Sequence, residues 1–311
     1  MNSRRESSRW NGAPRQTIRV AAARRGRGRR AIVRCRGDCN EEVGLANQKS
    51  GVGKSAAATL LTHCCAGRGR RVLVLDLDHQ GNASRPLCLS GWPTVAAFTA
   101  DAVLAGAAGA LPDAAFVLVP GDRALIGLER QPELHTPFAR NYRAFALRAA
   151  AQLDVCIVDT NPSPDIRLIS ALASADWLLA PVQLNQEVMD GIHGTLNHDR
   201  VGMRKIRAVL NPRLQLMGLL PSMTEPTPFQ RADFAQVIER CHQLLIHLGT
   251  GPGQFAFIPL RTAIAEAQAS GEVLWEMKKT AARDAWREIE RGIACIAARL
   301  EGQEADHGAA A

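Results

Sequence analysis

No uninterrupted apolar run in this chain is long enough to span a bilayer, which excludes a protein threaded through a membrane by helices. The end of the chain is equally poor as an interfacial anchor, because residues 301–311 hold two glycines, three acids and no large apolar side chain. Cysteine occurs eight times, at 35, 39, 64, 65, 88, 156, 241 and 295, but never in paired C-x₂-C spacing. That argues against a zinc site and leaves reduced thiols of a cytoplasmic protein as the plain reading. His63-Cys64-Cys65 reads as one face of a helix rather than as metal ligands.

Positive charge is also missing where the whole-chain value of +8 suggests it. Residues 1–36 contain twelve arginines, no lysine and one acid, Glu6, a net of +11, so residues 37–311 carry a net of −3. The basicity belongs to an amino-terminal arm and does not itself argue that the folded body binds nucleic acid. The arm, centred on Arg24-Arg25-Gly26-Arg27-Gly28-Arg29-Arg30, has too few apolar residues for a core and is expected to be disordered. Three readings stay open for it: a phosphate-binding arm, an organelle transit segment, or a start codon assigned too early. The expected organisation is an arm over 1–40, one α/β domain over 41–300 and a disordered tail over 301–311.

What is present is concentrated in three segments. Asn47-Gln48-Lys49-Ser50-Gly51-Val52-Gly53-Lys54-Ser55 ends as a P-loop ends. In such a loop glycines turn backbone N–H groups onto phosphate, Lys54 reaches the β/γ-phosphates, and the Ser55 hydroxyl takes Mg²⁺. The first half departs from G-x-x-x-x-G-K-[ST]: Gln48 stands where glycine is expected, and Lys49 adds a second lysine. The alanine- and leucine-rich run from Ser55 to Ala66, stopped by Gly67, predicts a helix whose amino-terminal dipole favours phosphate. Arg71–Asp76 and Leu153–Asp159 predict buried parallel strands that deliver Asp76, Asp78 and Asp159 to the carboxyl edge, where open α/β sheets bind ligands. Asp159 then has the Walker B position for holding Mg²⁺. The expected fold is a doubly wound, mostly parallel sheet with helices on both faces. Its first strand reads as short, only Val43–Ala46, after the polar Asp38–Glu42.

The second lysine resembles the deviant Walker A motif of the ParA/MinD group, and Asp76-Leu77-Asp78-His79-Gln80-Gly81-Asn82-Ala83 resembles the D-x-D-P-Q-G-N-A segment of ParA partition ATPases. Ala175–Gln183, Ile258-Pro259 and Ile264–Gly271 are similar to later segments of that family, and the stretch from Ala267 to Arg283 resembles its plasmid IncC branch. The likeness covers about 43–300. It implies an Mg²⁺-dependent ATPase that forms a homodimer around ATP, binds DNA non-specifically, acts with a centromere-binding ParB-like protein and works in the cytoplasm on the nucleoid.

By the same resemblance, Lys49 reaches the partner's nucleotide and Asp78 positions or deprotonates the attacking water. Asp76 and Asp159 serve the Mg²⁺ side, together with Ser55. Ser50, Gly51, Val52, Gly53, Lys54, Ser55 and Ala56 line the phosphates, and Met223 and Pro259 are the candidates for the base. Four departures bear on turnover. Ser50 replaces a glycine, at a cost of about 1 kcal/mol or more if that position needs positive φ or close backbone approach to phosphate. Ala56 lacks a hydroxyl near the α-phosphate. His79 replaces a proline that stiffens the turn after Asp78. Asn161 replaces a small residue or proline after Walker B. A hydrolysis-impaired, nucleotide-binding DNA regulator or corepressor is therefore the second reading, and a MinD-like positioning ATPase the third. The tail speaks against membrane attachment.

Near the carboxyl end, Trp286, Ile289, Ile293, Ile296 and Leu300 draw one apolar helical stripe for packing on the sheet. Lys279, Arg283, Arg287 and Arg291 run beside it every four residues, with Lys278 adjacent. Such a ridge is ordinarily a solvated face, which Asp284, Glu288 and Glu290 can partly neutralise. The resemblance raises Lys278, Lys279, Arg283 and Arg287 as DNA-phosphate contacts.

Overall fold

Short runs of valine, leucine and isoleucine form strands buried on both faces, as a parallel sheet between two helical layers requires. The computed structural model describes residues 41–249 and 254–302. The arginine-rich arm over 1–40 and the end of the expected tail lie outside the described residues. Eight strands are described: β1 (Glu41–Leu45), β2 (Val72–Asp76), β3 (Thr94–Val95), β4 (Phe116–Val119), β5 (Val155–Asp159), β6 (Trp177–Gln183), β7 (Gln215–Thr224) and β8 (Ile258–Pro259). They lie in the order β3-β4-β2-β5-β1-β6-β7-β8, and every pairing is parallel.

Ten α-helices are described between and after the strands. The first five are α1 (Lys54–Gly67), α2 (Ser84–Ser90), α3 (Ala100–Ala105), α4 (His135–Ala150) and α5 (Ile166–Leu172). The others are α6 (Val188–Asn197), α7 (Met203–Val209), α8 (Pro228–Cys241), α9 (Thr262–Ser270) and α10 (Thr280–Leu300). Alternation along β2 shows how the layers are built: Val72 and Val74 pack in a core with α1 and α10, whereas Leu73 and Leu75 pack in another with α3 and α4. Ile289, Ile293, Ile296 and Leu300 of the expected stripe are all buried in the first core, and Trp286 packs at its edge. His63, Cys64 and Cys65 are buried in α1. His63 meets Trp92 and Trp275 edge-on, and both thiols are free.

The first strand differs from expectation. It begins two residues earlier, at Glu41, and holds the central position between β5 and β6. Its glutamates hide it in the sequence, yet both are accommodated. Tyr142 Oη donates to Glu42 Oε1 at 2.6 Å, the Glu42 amide donates to Asp176 Oδ2 at 3.0 Å, and Trp177 Nε1 donates to Glu41 Oε2 at 2.7 Å. Burial pushes the Glu42 carboxyl up to about 8, against the pull of the Tyr142 hydrogen bond. Glu301, expected to begin a disordered segment, takes a bidentate pair of hydrogen bonds from Arg68, both at 2.8 Å.

Candidate functional site

The register places Leu45 and Asp76 each opposite Asp159, so the carboxyl ends of β1, β2 and β5 open at one point on the sheet edge. The loop from Ala46 to Gly53 leaves β1 there and feeds α1. Asn47 pins its start: Asn47 Nδ2 donates to the Pro181 carbonyl at 2.7 Å, and Asn47 Oδ1 accepts from the Lys49 amide at 2.9 Å. Gln48, which occupies the missing glycine's place, donates to the Gly194 carbonyl at 2.9 Å. Neither anchor is evident from the motif.

Positive φ falls on Gly51 (72°) and Gly53 (81°), and Met223 is the one non-glycine residue in that region among the described residues. Ser50 is exposed and its φ lies outside the left-handed region, so the positive-φ part of the expected cost of losing glycine does not arise. Gly53 is doubly constrained. A Cβ at this position would sit 2.5 Å from Ser222 Oγ and 3.8 Å from the Met223 side chain. Met223 is thus beside the loop, while Pro259, paired with Thr224, lies one strand further out. Gly53 caps α1 without any side-chain hydrogen bond, and no acid stands in the first turn. The first amides of α1 are left for an anion. Val52 is buried beneath the loop, and Ser55 and Ala56 are half-buried on the first turn.

Lys54 is buried and folds back over the loop, donating to the Lys49 carbonyl at 2.9 Å and the Asn47 carbonyl at 3.1 Å. Burial lowers its pKa, opposed by the charges of Asp159 and Asp78. Lys49 points the other way. Its Nζ donates to Glu187 Oε2 at 2.8 Å and to the Glu187 carbonyl at 2.9 Å.

The three acids have separate surroundings. Asp76 Oδ1 accepts from the Asp78 amide at 3.0 Å, and Oδ2 accepts from the Ser84 amide and hydroxyl at 2.9 and 2.7 Å. Burial raises it to about 6. Its oxygens thus hold the turn and the start of α2, so the expected role on the metal side falls less on Asp76 than on Asp159. Both carboxylate oxygens of Asp159 are buried without a hydrogen-bond partner. Burial, with Asp76 beside it, drives the Asp159 pKa well up, against the pull of the nearby Ser55 hydroxyl and Lys54.

An orphaned buried carboxylate next to a serine hydroxyl is a donor set that fits a divalent cation. No group of three or more His, Cys, Asp or Glu side chains among the described residues could hold a metal unaided. Mg²⁺ commonly takes one or two carboxylates and completes its shell with phosphate oxygens and water.

Asp78 is buried. Its Oδ1 accepts from the Gln80 amide at 3.0 Å and lies 3.4 Å from His79 Nδ1. Gly121 closes over this turn: a Cβ there would sit 2.4 Å from the Asp78 carbonyl and 2.8 Å from that of Asp76, and its amide donates to Ser84 Oγ at 3.0 Å. Ser84, Gly121, Glu187 and Ser222 carry no signal in the sequence. Each is brought in by a different crossover, and no local motif marks it.

The basic ridge lies on α10 and the residues just before it. Lys278, Lys279, Arg283 and Arg287 are all exposed, but α10 begins only at Thr280, so the two lysines precede the helix. Lys279 pairs with Glu266 at 2.9 Å and Arg287 with Asp284 at 2.7 Å. Glu288, expected to neutralise the ridge, instead pairs with Arg261. No described helix is long and apolar enough to cross a membrane.

A family described as an AAA domain matches residues 40–216. Protein IncC of Escherichia coli is 33% identical over 254 residues, covering 78% of this chain and 65% of that protein; a second IncC is 30% identical and is covered to 64%. This chain therefore spans less than two thirds of the length of those relatives. The chromosome-partitioning ATPase Soj of Thermus thermophilus is 33% identical over 232 residues, 75% of this chain and 86% of Soj. Among solved structures, Cyanothece McdA in an ATP complex superposes with a TM-score of 0.67 at 17% identity, over 88% of this chain and all of McdA. A plasmid partition protein of Borrelia burgdorferi bound to AMPPNP gives 0.59 at 16% identity, over 84% of this chain and 99% of that one. At such identities the two superpositions speak to the fold, an α/β P-loop sheet.

Proposed function

The chain belongs to the ParA/Soj family of partition ATPases, and from that membership we propose that it is an ATP-driven partition switch. It binds Mg²⁺ and ATP, pairs with a second copy around the nucleotide, and in that state holds DNA non-specifically. Slow hydrolysis, stimulated by a centromere-binding ParB-like protein, releases it, so that a plasmid, integrated element or chromosome is segregated within the cytoplasm, on the nucleoid. The observation that carries this reading is the meeting of uncapped α1 amides, buried Lys54 and the orphaned Asp159 carboxylate at one sheet edge.

The residues divide the work. The amides from Ser50 to Ser55 hold the phosphates, and Lys54 exchanges its two loop carbonyls for β/γ-phosphate oxygens. Ser55 and Asp159 hold Mg²⁺, with Asp76 fixing the loop beside them; the ion supplies charge neutralisation on the phosphates. Asp78 accepts a proton from, or orients, the attacking water. Lys49 leaves Glu187 to reach the partner's nucleotide, which makes ATP part of the interface and couples dimerisation to nucleotide state. Met223 flanks the loop on the side proposed for the base, with Pro259 beyond it.

Titration with Mg-ATP tests the reading, with unfolding temperature and phosphate release followed together. The wild type should gain stability on adding Mg-ATP, as ligand linkage requires, and release phosphate slowly. Lys54→Ala should lose both responses. A wild type that binds Mg-ATP but never releases phosphate, with or without DNA, would move the function to a nucleotide-binding DNA regulator.

A further inference from the structure

Main-chain bonds hold the two ends of the turn that carries Asp78: the Leu77 amide donates to the Asp159 carbonyl at 2.8 Å and the Arg85 amide to the Gly81 carbonyl at 3.0 Å. The Asp78 amide donates to Asp76, the Gln80 amide to Asp78 Oδ1, and the Gly81 amide to the Asp78 carbonyl at 3.0 Å. These bonds lie within the turn or run back to β2. His79 has the rotational freedom that a proline ring would remove. It is nevertheless held, through its side chain.

Arg167 Nη1 lies 3.2 Å from His79 Nδ1, across a sequence separation of 88 residues. Arg167 itself cannot swing. It is 5% exposed, its Nε donates to Asp165 Oδ2 at 3.0 Å and Oδ1 at 3.2 Å, and its Nη2 also bonds Asp165 Oδ2. Asp165 is fixed in turn as the amino-terminal cap of α5, where it accepts from the Arg167 amide at 3.0 Å. It also accepts from Asn161 Nδ2 at 3.0 Å. Asn161 stands two residues beyond Asp159. A continuous line of polar side chains therefore runs Asn161–Asp165–Arg167–His79 and ends against Asp78.

Two of these residues, His79 and Asn161, occupy positions where the family resemblance leads one to expect proline or a small side chain. They are the two ends of one network. A guanidinium can only donate, so the bond to Arg167 requires His79 Nδ1 to accept, and the Nε2–H that this leaves is satisfied by the side-chain amide of Gln80, 2.8 Å away, when that amide is turned to present its oxygen. The ring cannot turn without giving up its bond to Arg167, and the Asp78-His79 backbone cannot move far without turning the ring.

We infer that Arg167 is a positioning residue for hydrolysis: held by Asp165 and Asn161, it pins His79 and so fixes the turn that presents Asp78, replacing with a side-chain brace the stiffness that proline would supply. None of the brace residues is assigned to the nucleotide above. The brace acts on the rate through the placement of Asp78, and small misplacements of a catalytic group are costly. The inference rests on the hydrolytic role proposed above for Asp78, and its test separates the two.

The test uses the full chain in four forms beside the wild type: Arg167→Gln, His79→Ala, His79→Pro and the double variant His79→Pro/Arg167→Gln. Steady-state hydrolysis of Mg-ATP in the presence of DNA should show kcat lowered about ten-fold in Arg167→Gln and in His79→Ala, with KM for ATP within about two-fold, as expected when only transition-state placement is lost. Whatever the activity of His79→Pro, adding Arg167→Gln to it should change kcat by less than about two-fold, because the brace has nothing left to hold. An equal loss in both backgrounds, or a raised KM with unchanged kcat, overturns the proposal. Amide hydrogen exchange over residues 77–82 gives a readout independent of turnover: faster exchange there in Arg167→Gln, with the amides of α1 unchanged, supports the brace, and unchanged exchange overturns it. A wild type without ATPase activity would defeat the functional reading, while the exchange experiment would still decide the brace. Should Arg167→Gln fail to fold, His79→Ala removes the same interaction from a partly exposed position and carries both readouts.

Discussion

Lys49 Nζ sits 2.8 Å from Glu187 Oε2 and 2.9 Å from the carbonyl of the same residue, so the lysine that distinguishes this P-loop is engaged within its own chain. A residue assigned to a partner's nucleotide has to leave Glu187 first. The pair is exposed on the glutamate side, 72%, and such pairs are weak and screened by salt. Removing it with Glu187→Ala should strengthen ATP-dependent dimerisation no more than several-fold, with the gain shrinking at high salt. Lys49→Ala should abolish that dimerisation. Sedimentation of both variants with Mg-ATP checks the prediction.

The unpaired Asp159 carboxylate makes opposite predictions for the empty and loaded protein. Asp159→Ala should raise the unfolding temperature of the nucleotide-free protein, since a buried acid only partly offset by Ser55 and Lys54 is removed. The same variant should lose the added stability that Mg-ATP gives the wild type. Thermal unfolding with EDTA, with ATP and with Mg-ATP distinguishes these effects.

Glu42 predicts a pH dependence away from the nucleotide. Its folded pKa is raised from an ordinary 4.5 to about 8 by burial in the central strand. The unfolded chain therefore ionises first, and stability from this group is full below about 4.5 and is lost as pH rises towards 8. Glu42→Gln should flatten the fall in unfolding temperature between those limits. Tyr142→Phe, which removes the hydroxyl donating to Glu42, should cost about 1–3 kcal/mol of stability.

On the basic ridge, pairing separates the four candidates. Lys279 and Arg287 already face acids, while Lys278 and Arg283 are outside the described ion pairs. Charge reversal at Lys278 or Arg283 should weaken DNA binding more than reversal at Lys279 or Arg287. A side chain that truly binds phosphate should, when reversed, reduce the salt slope by about one. Binding isotherms at several salt concentrations give both numbers.

The meeting of Asp76, Asp159 and the P-loop at one sheet edge was legible in the sequence because these residues ride on strand ends. The runs before Asp76 and Asp159 are apolar enough to be strands, and the loop before Lys54 opens a helix, so topology alone brings them together. The first strand was legible only in part, since Glu41 and Glu42 look like loop until Trp177, Asp176 and Tyr142 are folded against them. The supporting residues were not legible. Gly121 reaches Ser84 across 37 positions, Arg167 reaches His79 across 88, and Glu187 reaches Lys49 across 138. No periodicity or local spacing encodes such pairings. Half of the concern over Ser50 turned on φ, which the sequence does not give.

The central claim is that nucleotide state, and not the arginine-rich arm, controls DNA binding by the folded body. Its most direct test is non-specific DNA binding with ATP, ADP and no nucleotide, for the full chain and for a chain lacking residues 1–36, at two or more salt concentrations. The account predicts that the shortened chain, with its net charge of −3, binds DNA with Mg-ATP and releases it with ADP. Binding that ignores nucleotide and disappears with the arm would contradict it.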